Sequence, residues 1–506
     1  MWLVVRRAVL LLFRWQRQLS QAPRSRKVAV DTKKGRHWRH VLTLITVGVL
    51  AGVGLVISQL GLDKAQASTR PNIVFILTDD QTAKDLAYMP IVKNKLTSKG
   101  TKFTNAFVTT ALCCPSRASI LRGQYAHNHL VTQGLEDPRG YEKFKELGHE
   151  NSTVATWLKG GGYKTALIGK YLNGYGGGTT YVPPGWSNWQ TWVSTKADGT
   201  KVWNVNGNLV GDTRRHDHYV SDKAVEFISR QAGSTSPFFM YLAPYAPHFG
   251  LAPAPKYDHT FDNLAMPKSP SFNEADVSDK PAFVRNSPTL SSSQVNTLEA
   301  HYRDRLEALL TVDDMVGRIV AKLAETGKLS NTYIVFTSDN GYHMGEHRLP
   351  EGKWTAYEED IKVPLIVRGP NVPAGRTLNH MVLNTDFAPT FAALGGVQPA
   401  PFVDGRTIRP LLGSTTPPLS NWRSAFVEEG APTPQRPAFS AVRTKSHMYA
   451  EYDNGERELY DLTSDPYELT SLDANPGYDG LEAGLGSRLA ALRDCAADSC
   501  RAAEGP

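Results

Sequence analysis

Apolar residues recur along this chain in two kinds of block. NIVFILTDD (72–80), KTALIGK (164–170), PFFMYLA (237–243), NTYIVFTSDN (331–340) and IKVPLIVRGP (361–370) are near-continuous apolar runs of strand length. Such runs predict strands covered on both faces, as in parallel sheets. Residues 83–100, VATWLKG, YVSDKAVEFISRQA, HYRDRLEALLTVDDMVGRIVAKLAETG and NTDFAPTFAALGG carry apolar positions at helical spacing, and Gly327 closes the longest of them. Strand and helix alternate, which predicts an α/β domain over residues 68–395. After the loop-like stretch from Pro399 to about Ser420, SAFVEE, SAVRTKSHMYAEY and ELYDL predict short antiparallel strands. A terminal helix from about Gly480 completes a smaller domain over residues 396–506. Two stretches fit neither period. Residues 173–218, rich in Gly and Trp with a GYGGG run only superficially like a phosphate loop, read as a surface insertion. Residues 250–295, dense in Pro, Ser and Asp, read as a long surface excursion.

Charge changes this picture at the N-terminus. The 506 residues carry a net charge of +7, but residues 1–40 hold eleven Lys/Arg against one Asp, so the remainder sums to −3. The basic excess belongs to a leader, and a basic nucleic-acid surface is excluded for the folded part. The leader is followed by Val41–Leu60, twenty residues without a charge and long enough to cross a bilayer. Basic residues ahead of it predict a cytoplasmic leader and an exported bulk. Ala65-Gln66-Ala67 has the pattern of a signal-peptidase site, so residues 41–67 are a signal peptide or a membrane anchor. Four cysteines make no disulfide scaffold. Cys495 and Cys500, five apart, could close a small loop beyond the last helix.

The candidate chemistry gathers around ALCCPSRASILRGQY (111–125). Pro115 suits a first helical turn, and Ser116 and Arg117 are expected on its exposed side. A Cys-Cys pair can simply fill a core. With Pro and Arg at fixed offsets, however, Cys113 is a candidate nucleophile. A phosphatase-type thiolate loop is excluded, because it needs an arginine six residues after its cysteine and Ser119 and Ile120 stand there. Asp79-Asp80 and Asp339-Asn340 each end an apolar strand. Either pair alone is an ordinary turn or cap. Together, on parallel strands, they make an all-oxygen site for a hard cation, Ca²⁺ or Mg²⁺. Lys170 ends a strand behind a glycine, and Lys353 follows the Asp339 strand by a short loop; with Arg117 they would make a pocket for a tetrahedral dianion. His248, between Pro247 and Phe249, could protonate a leaving oxygen, although a turn histidine is also an ordinary structural residue.

CCPSRASILRG matches the CxPSR signature of sulfatases, and residues 70–500 resemble a type I sulfatase. TTALCCPSRASILRGQYAHNH, IGKYLN, APHFGLAPAPKY, TSDNGYHMGEH, DIKVPLIVRGP and ELYDLTSDPYEL resemble most the N-acetylglucosamine-6-sulfatase branch. The resemblance implies an alkaline-phosphatase-like large sheet flanked by helices, with a smaller C-terminal antiparallel sheet and helix. It implies that a formylglycine-generating enzyme oxidises Cys113 to formylglycine, whose hydrate is the nucleophile. A thiolate attacking sulfur would leave a stable adduct, whereas a gem-diol can expel sulfate through its second hydroxyl. It further implies that Asp79, Asp80, Asp339 and Asn340, joined by residue 113, hold calcium. Arg117 would stabilise the hydrate, Lys170 and Lys353 would bind sulfate oxygens, and His248 would protonate the departing sugar oxygen. Many arylsulfatases carry a histidine two residues after the lysine matching Lys170, but Leu172 stands here. His343 and His347 are the candidates for the missing base.

These readings converge on an exported sulfuric-ester hydrolase acting on a sulfated sugar, such as a 6-sulfated N-acetylglucosamine residue. The rivals are a phosphate or phosphonate ester hydrolase with the same pocket, and a membrane-anchored glycan-binding protein whose cysteine is never converted.

Overall fold

The computed structural model describes residues 70–133 and 140–506. The basic leader and the stretch 41–67 lie outside the described residues. Among those described, no helix is long and apolar enough to cross a membrane.

Ten strands form the main sheet: β1 (Asn72–Thr78), β2 (Thr101–Phe103), β3 (Lys164–Gly169), β4 (Asn188–Thr195), β5 (Lys201–Val205), β6 (Asn208–Asp212), β7 (Phe238–Ala243), β8 (Thr332–Ser338), β9 (Leu365–Arg368) and β10 (Arg376–Leu378). Their spatial order is β10-β2-β9-β8-β1-β7-β3-β4-β5-β6. The run from β8 through β1, β7 and β3 to β4 is parallel throughout. All seven residues of β1 are buried, as its unbroken apolar sequence requires.

Because side chains alternate across a strand, β1 feeds two cores. Ile73, Phe75 and Leu77 pack with Ala118 and Leu121 of α1 (Cys113–Arg122), Leu158 of α2 (Val154–Gly160) and Phe391 of α5 (Phe387–Gly395). Val74 and Ile76 pack on the opposite face with Val220 of α3 (His216–Arg230) and Leu309 and Val316 of α4 (Ser292–Glu325). The result is a helix–sheet–helix sandwich. An antiparallel four-stranded sheet follows, β11 (Ala425–Gly430), β12 (Phe439–Thr444), β13 (His447–Tyr452) and β14 (Arg457–Asp461), with α6 (Asp479–Arg493) against it. Phe426 stacks near Phe107 at 5.2 Å between ring centroids, so this sheet shares a core with the main one.

Three sequence expectations are corrected. Residues 173–218 are no surface insertion: they supply β4, β5 and β6, which extend the sheet and bury Trp189 and Trp203. Polar loops between the strands hid their short alternation. Residues 83–100 are three short helical pieces, because Pro90 opens a new turn after Met89. The long helix begins at Ser292, ahead of the apolar periodicity, with Ser291 and Gln294 forming a capping box. The excursion is present up to the start of that helix at Ser292, with a single helical turn at Ala282–Arg285. Cys495 and Cys500 are joined in a disulfide just past α6.

Gly169 marks where β3 must turn towards the site. Its φ is +116°, and a Cβ there would lie 2.0 Å from the carbonyl oxygen of Ala243. Gly169→Ala is therefore expected to cost about 1–3 kcal/mol, and to displace Lys170, measured as a lower urea midpoint together with lower turnover.

Candidate active site

β1 and β8 run parallel in a register that pairs Thr78 with Ser338. Their next residues, Asp79-Asp80 and Asp339-Asn340, therefore leave the sheet side by side at its C-terminal edge, where open α/β sheets hold ligands. Carboxylate oxygens of Asp79, Asp80 and Asp339 all lie within 4.8 Å of one another. The backbone N–H of Asp80 donates to Asp339 Oδ1 at 3.1 Å. Asp80 has φ +70°, in the left-handed region that non-glycine residues avoid, so its neighbours must hold it there.

Helix α1 brings the cysteine. Cys113 is its first residue, and Gly123 in the left-handed conformation ends it. Every residue of the helix is buried, which corrects the expectation that Ser116 and Arg117 face solvent. Arg117 is tolerated inside because its Nε donates to Asp339 Oδ2 at 2.7 Å, its Nη1 donates to the Lys170 carbonyl at 3.1 Å, and its Nη2 stands 3.5 Å from Asp79 Oδ2. The Cys113 thiol lies 3.5 Å from Asp79 Oδ1 and 4.0 Å from Asp80 Oδ1. Lys170 is paired with Asp79, and Lys353 touches both Asp80 and the Cys113 sulfur. His248 has its Nε2 3.8 Å from Asp80 Oδ2 and clusters with Asp79 and Cys113. Asn340 Nδ2 donates to Asp80 Oδ1, so all nine singled-out residues meet in one place.

The charges are interlocked. Burial pushes the Asp79 carboxyl up, but Lys170, His248, Arg117 and Lys353 outweigh it and hold the group well below the usual range. Asp80 is likewise lowered, burial being overcome chiefly by Lys353. Asp339 is raised, by burial and by the charge of Asp79. Burial pushes the Cys113 thiol up to about 12 despite Lys170 and Lys353. An unmodified thiol here stays protonated at neutral pH and is a poor nucleophile.

The residues fit a hard cation. Asn340 donates through Nδ2 to Asp80 Oδ1 at 2.7 Å, which leaves its Oδ1 buried with no hydrogen-bond partner. A buried bare amide oxygen beside three carboxylates is the donor set of a Ca²⁺ or Mg²⁺ site. Arg117 Nη2 is also buried without a hydrogen-bond partner, a donor left for an anionic oxygen.

His343 and His347 are each tied to a carboxylate outside this cluster. His343 Nδ1 lies 3.0 Å from Asp360, and His347 Nδ1 lies 2.7 Å from Glu274. One contributor escaped the sequence reading: Arg305 of α4, buried, donates to the carbonyls of Asp80 at 2.6 Å and Pro247 at 3.1 Å. It thereby positions both the strained aspartate and the loop of His248. Its signal was legible, since Leu298, Tyr302, Arg305, Leu306 and Leu309 share one buried stripe and a charge on such a stripe requires a buried partner. Arg305→Met is expected to lower kcat by about 100-fold with KM little changed, because catalytic groups shift without leaving. Steady-state kinetics on an aryl sulfate would check it.

Comparison with known proteins agrees with this geometry. Residues 71–397 match the sulfatase family profile, and residues 345–495 match the profile described as N-sulphoglucosamine sulphohydrolase, C-terminal. The N-acetylglucosamine-6-sulfatases of Capra hircus and Homo sapiens are 34% identical to this chain, over 86% of it and 86% and 87% of their own lengths. The extracellular sulfatase SULF-1 homolog of Drosophila melanogaster is 36% identical over 72% of this chain, which spans only 33% of that longer protein. Among solved structures, one bound to its substrate D-glucosamine-2-N,6-O-disulfate superposes with a TM-score of 0.70 at 24% identity, covering 83% of this chain and 97% of its own. The phosphonate monoester hydrolase of Silicibacter pomeroyi reaches 0.67 at 24% identity, covering 83% and 94%. The fold is thus the alkaline-phosphatase-like one, and the chain belongs to the sulfatase family as a sulfuric ester hydrolase.

Proposed function

We propose that this sulfatase removes sulfate from a sulfated sugar, with a 6-sulfated N-acetylglucosamine residue of a glycan as the substrate. The observation that carries the reading is the convergence of Cys113, three carboxylates, Asn340 and three cationic side chains on one sheet edge. Cys113 would be converted by a formylglycine-generating enzyme, and the aldehyde hydrate would supply the oxygen nucleophile that a protonated thiol cannot. Asp79, Asp80, Asp339 and Asn340, with residue 113, would hold Ca²⁺, or Mg²⁺ as the alternative. When bound, the cation adds positive charge where the sulfuryl group docks.

The chain's own residues do the rest. Arg117 orients residue 113 and offers Nη2 to an anionic oxygen. Lys170 and Lys353 bind sulfate oxygens, each held by an aspartate that fixes its position. His248, about one-third exposed at the rim, delivers a proton to the leaving sugar oxygen. The Pro-rich excursion lines a neighbouring cavity through Met266–Pro270 and is the natural place for glycan selectivity. The basic leader and the apolar segment after it support export, with either cleavage or anchoring.

The test pairs mass analysis with kinetics. A Cys113 peptide from native-host protein should be lighter than its thiol form, and N-acetylglucosamine 6-sulfate should turn over faster than an aryl phosphate. An intact thiol in active protein would remove the nucleophile from the reading, and a preference for phosphate or phosphonate would move it to the rival class.

A further inference from the structure

A second cluster of metal-ligating side chains lies outside the site described above. His347, Glu359 and Glu468 each offer one donor atom, and the three atoms lie within 4.8 Å of one another. They come from distant parts of the chain: the loop after β8, the turn Glu358–Ile361, and the loop after β14. His347 and Glu468 are each 1% exposed.

Three features point to a cation rather than to packing. First, His347 Nδ1 meets Glu274 Oε2 at 2.7 Å, while its Nε2 is buried with no hydrogen-bond partner. When Nδ1–H donates to that carboxylate, Nε2 is left as a bare lone pair, the arrangement by which proteins prepare histidine for a metal. Stacking on Tyr357, with ring centroids 4.1 Å apart, fixes the ring plane. Second, Glu468 accepts the backbone N–H of Glu358 through Oε2, and its Oε1 is likewise buried with no hydrogen-bond partner. Two bare acceptors and no donor between them are costly in a protein interior unless something positive joins them. Third, the surrounding charges are unevenly matched. Glu274 is met by Lys280, and Glu358 by Arg443 and Lys362. Glu359 has only the exposed Lys84 at 3.6 Å, and Glu468 has no ion pair among the described residues. His347 and Glu468 also both hold positive φ, at +53° and +55°, a backbone cost that bringing these donors together would explain.

We propose that His347, Glu359 and Glu468 bind a second divalent cation of the borderline class that imidazole and carboxylate share, for which Zn²⁺ is the probe. One tetrahedral position remains for water. A cavity of about 620 Å³, lined by Glu346, Glu358, Glu359 and Tyr467 among others, gives the ion a route in. Such an ion ties the loop after β14 to the segment that carries Lys353, so its role is to stiffen the wall of the active site.

The test uses the full chain, stripped of metal, reloaded with excess Ca²⁺ to fill the hard-oxygen site, then equilibrated with Zn²⁺ and desalted. Elemental analysis should find one Zn²⁺ per chain. Glu359→Gln and Glu468→Gln, which keep the side-chain volume, should each lose it while keeping Ca²⁺ and a cooperative melt. Glu274→Gln should weaken Zn²⁺ binding roughly 10- to 100-fold. The proposal is overturned if the wild-type chain retains no Zn²⁺, which would leave a shared proton as the link between the acceptors. It is also overturned if both glutamine variants keep the ion, or if Asp339→Asn alone removes it.

Discussion

Alanine at position 113 is expected to leave a folded protein whose sulfate release falls by at least about 10⁴-fold, the scale seen when a covalent route is removed from an enzyme. Cys113 is 2% exposed and opens α1, a helix position alanine occupies without strain. Losing one sulfur atom leaves a small void costing about 1 kcal/mol, so the melting temperature should move little. The sulfur is the atom that reaches Asp79, Asp80 and Lys353. Cys114→Ala is the matched control. Cys114 points elsewhere, its sulfur 3.9 Å from the Asn173 carbonyl, and its loss should spare turnover. If Cys113→Ala kept activity comparable to Cys114→Ala, the nucleophile would have to be sought elsewhere.

What could be read from the residues alone follows from how each contact is made. β1 and β8 were legible because a strand buried on both faces has no polar alternation to lose, and its apolar run ends abruptly at the acidic pair. The metal-type oxygens followed directly, since a parallel pairing leaves little freedom for where strand ends go. β4–β6 were not legible, because edge strands such as Asn208–Asp212, nearly all exposed, resemble loops in composition. Arg117 was expected on an exposed face and is buried. Its neighbours 117±3 are small or apolar, but the carboxylates that allow its burial, Asp79 and Asp339, are 38 and 222 residues away, and no local pattern reports them. Arg305 and the His347 cluster belong to the same class of long-range arrangement. The histidines could be noticed from sequence; their partners Asp360 and Glu274 could not.

The largest stability effect is expected at Arg423, far along the chain from any catalytic residue. Its side chain is fully buried, with Nη1 and Nη2 donating to the two oxygens of Asp386 at 2.6 and 2.7 Å and Nε donating to Glu504 Oε2 at 2.7 Å. Burial works against the guanidinium, but Asp386 and Glu504 hold it charged. Glu504 also accepts the Tyr125 hydroxyl at 2.6 Å and Arg406 Nη2 at 2.8 Å, so this one cation links the C-terminal turn to the segment just after α1. Arg423→Met keeps the volume and removes the charge, leaving Asp386 with only the backbone N–H groups of Leu383 and Arg406. Breaking a buried pair in this way costs about 3–5 kcal/mol, more than any surface bridge here would. Urea unfolding should show that loss as a lower midpoint at unchanged slope. Adding Asp386→Asn should recover part of it, since an amide keeps an acceptor for the backbone without an uncompensated charge, giving a coupling of about 0.5–3 kcal/mol between the sites. A loss below about 1 kcal/mol in the single variant would mean that water reaches Asp386, and that the C-terminal sheet is held to the sandwich by its apolar contacts alone.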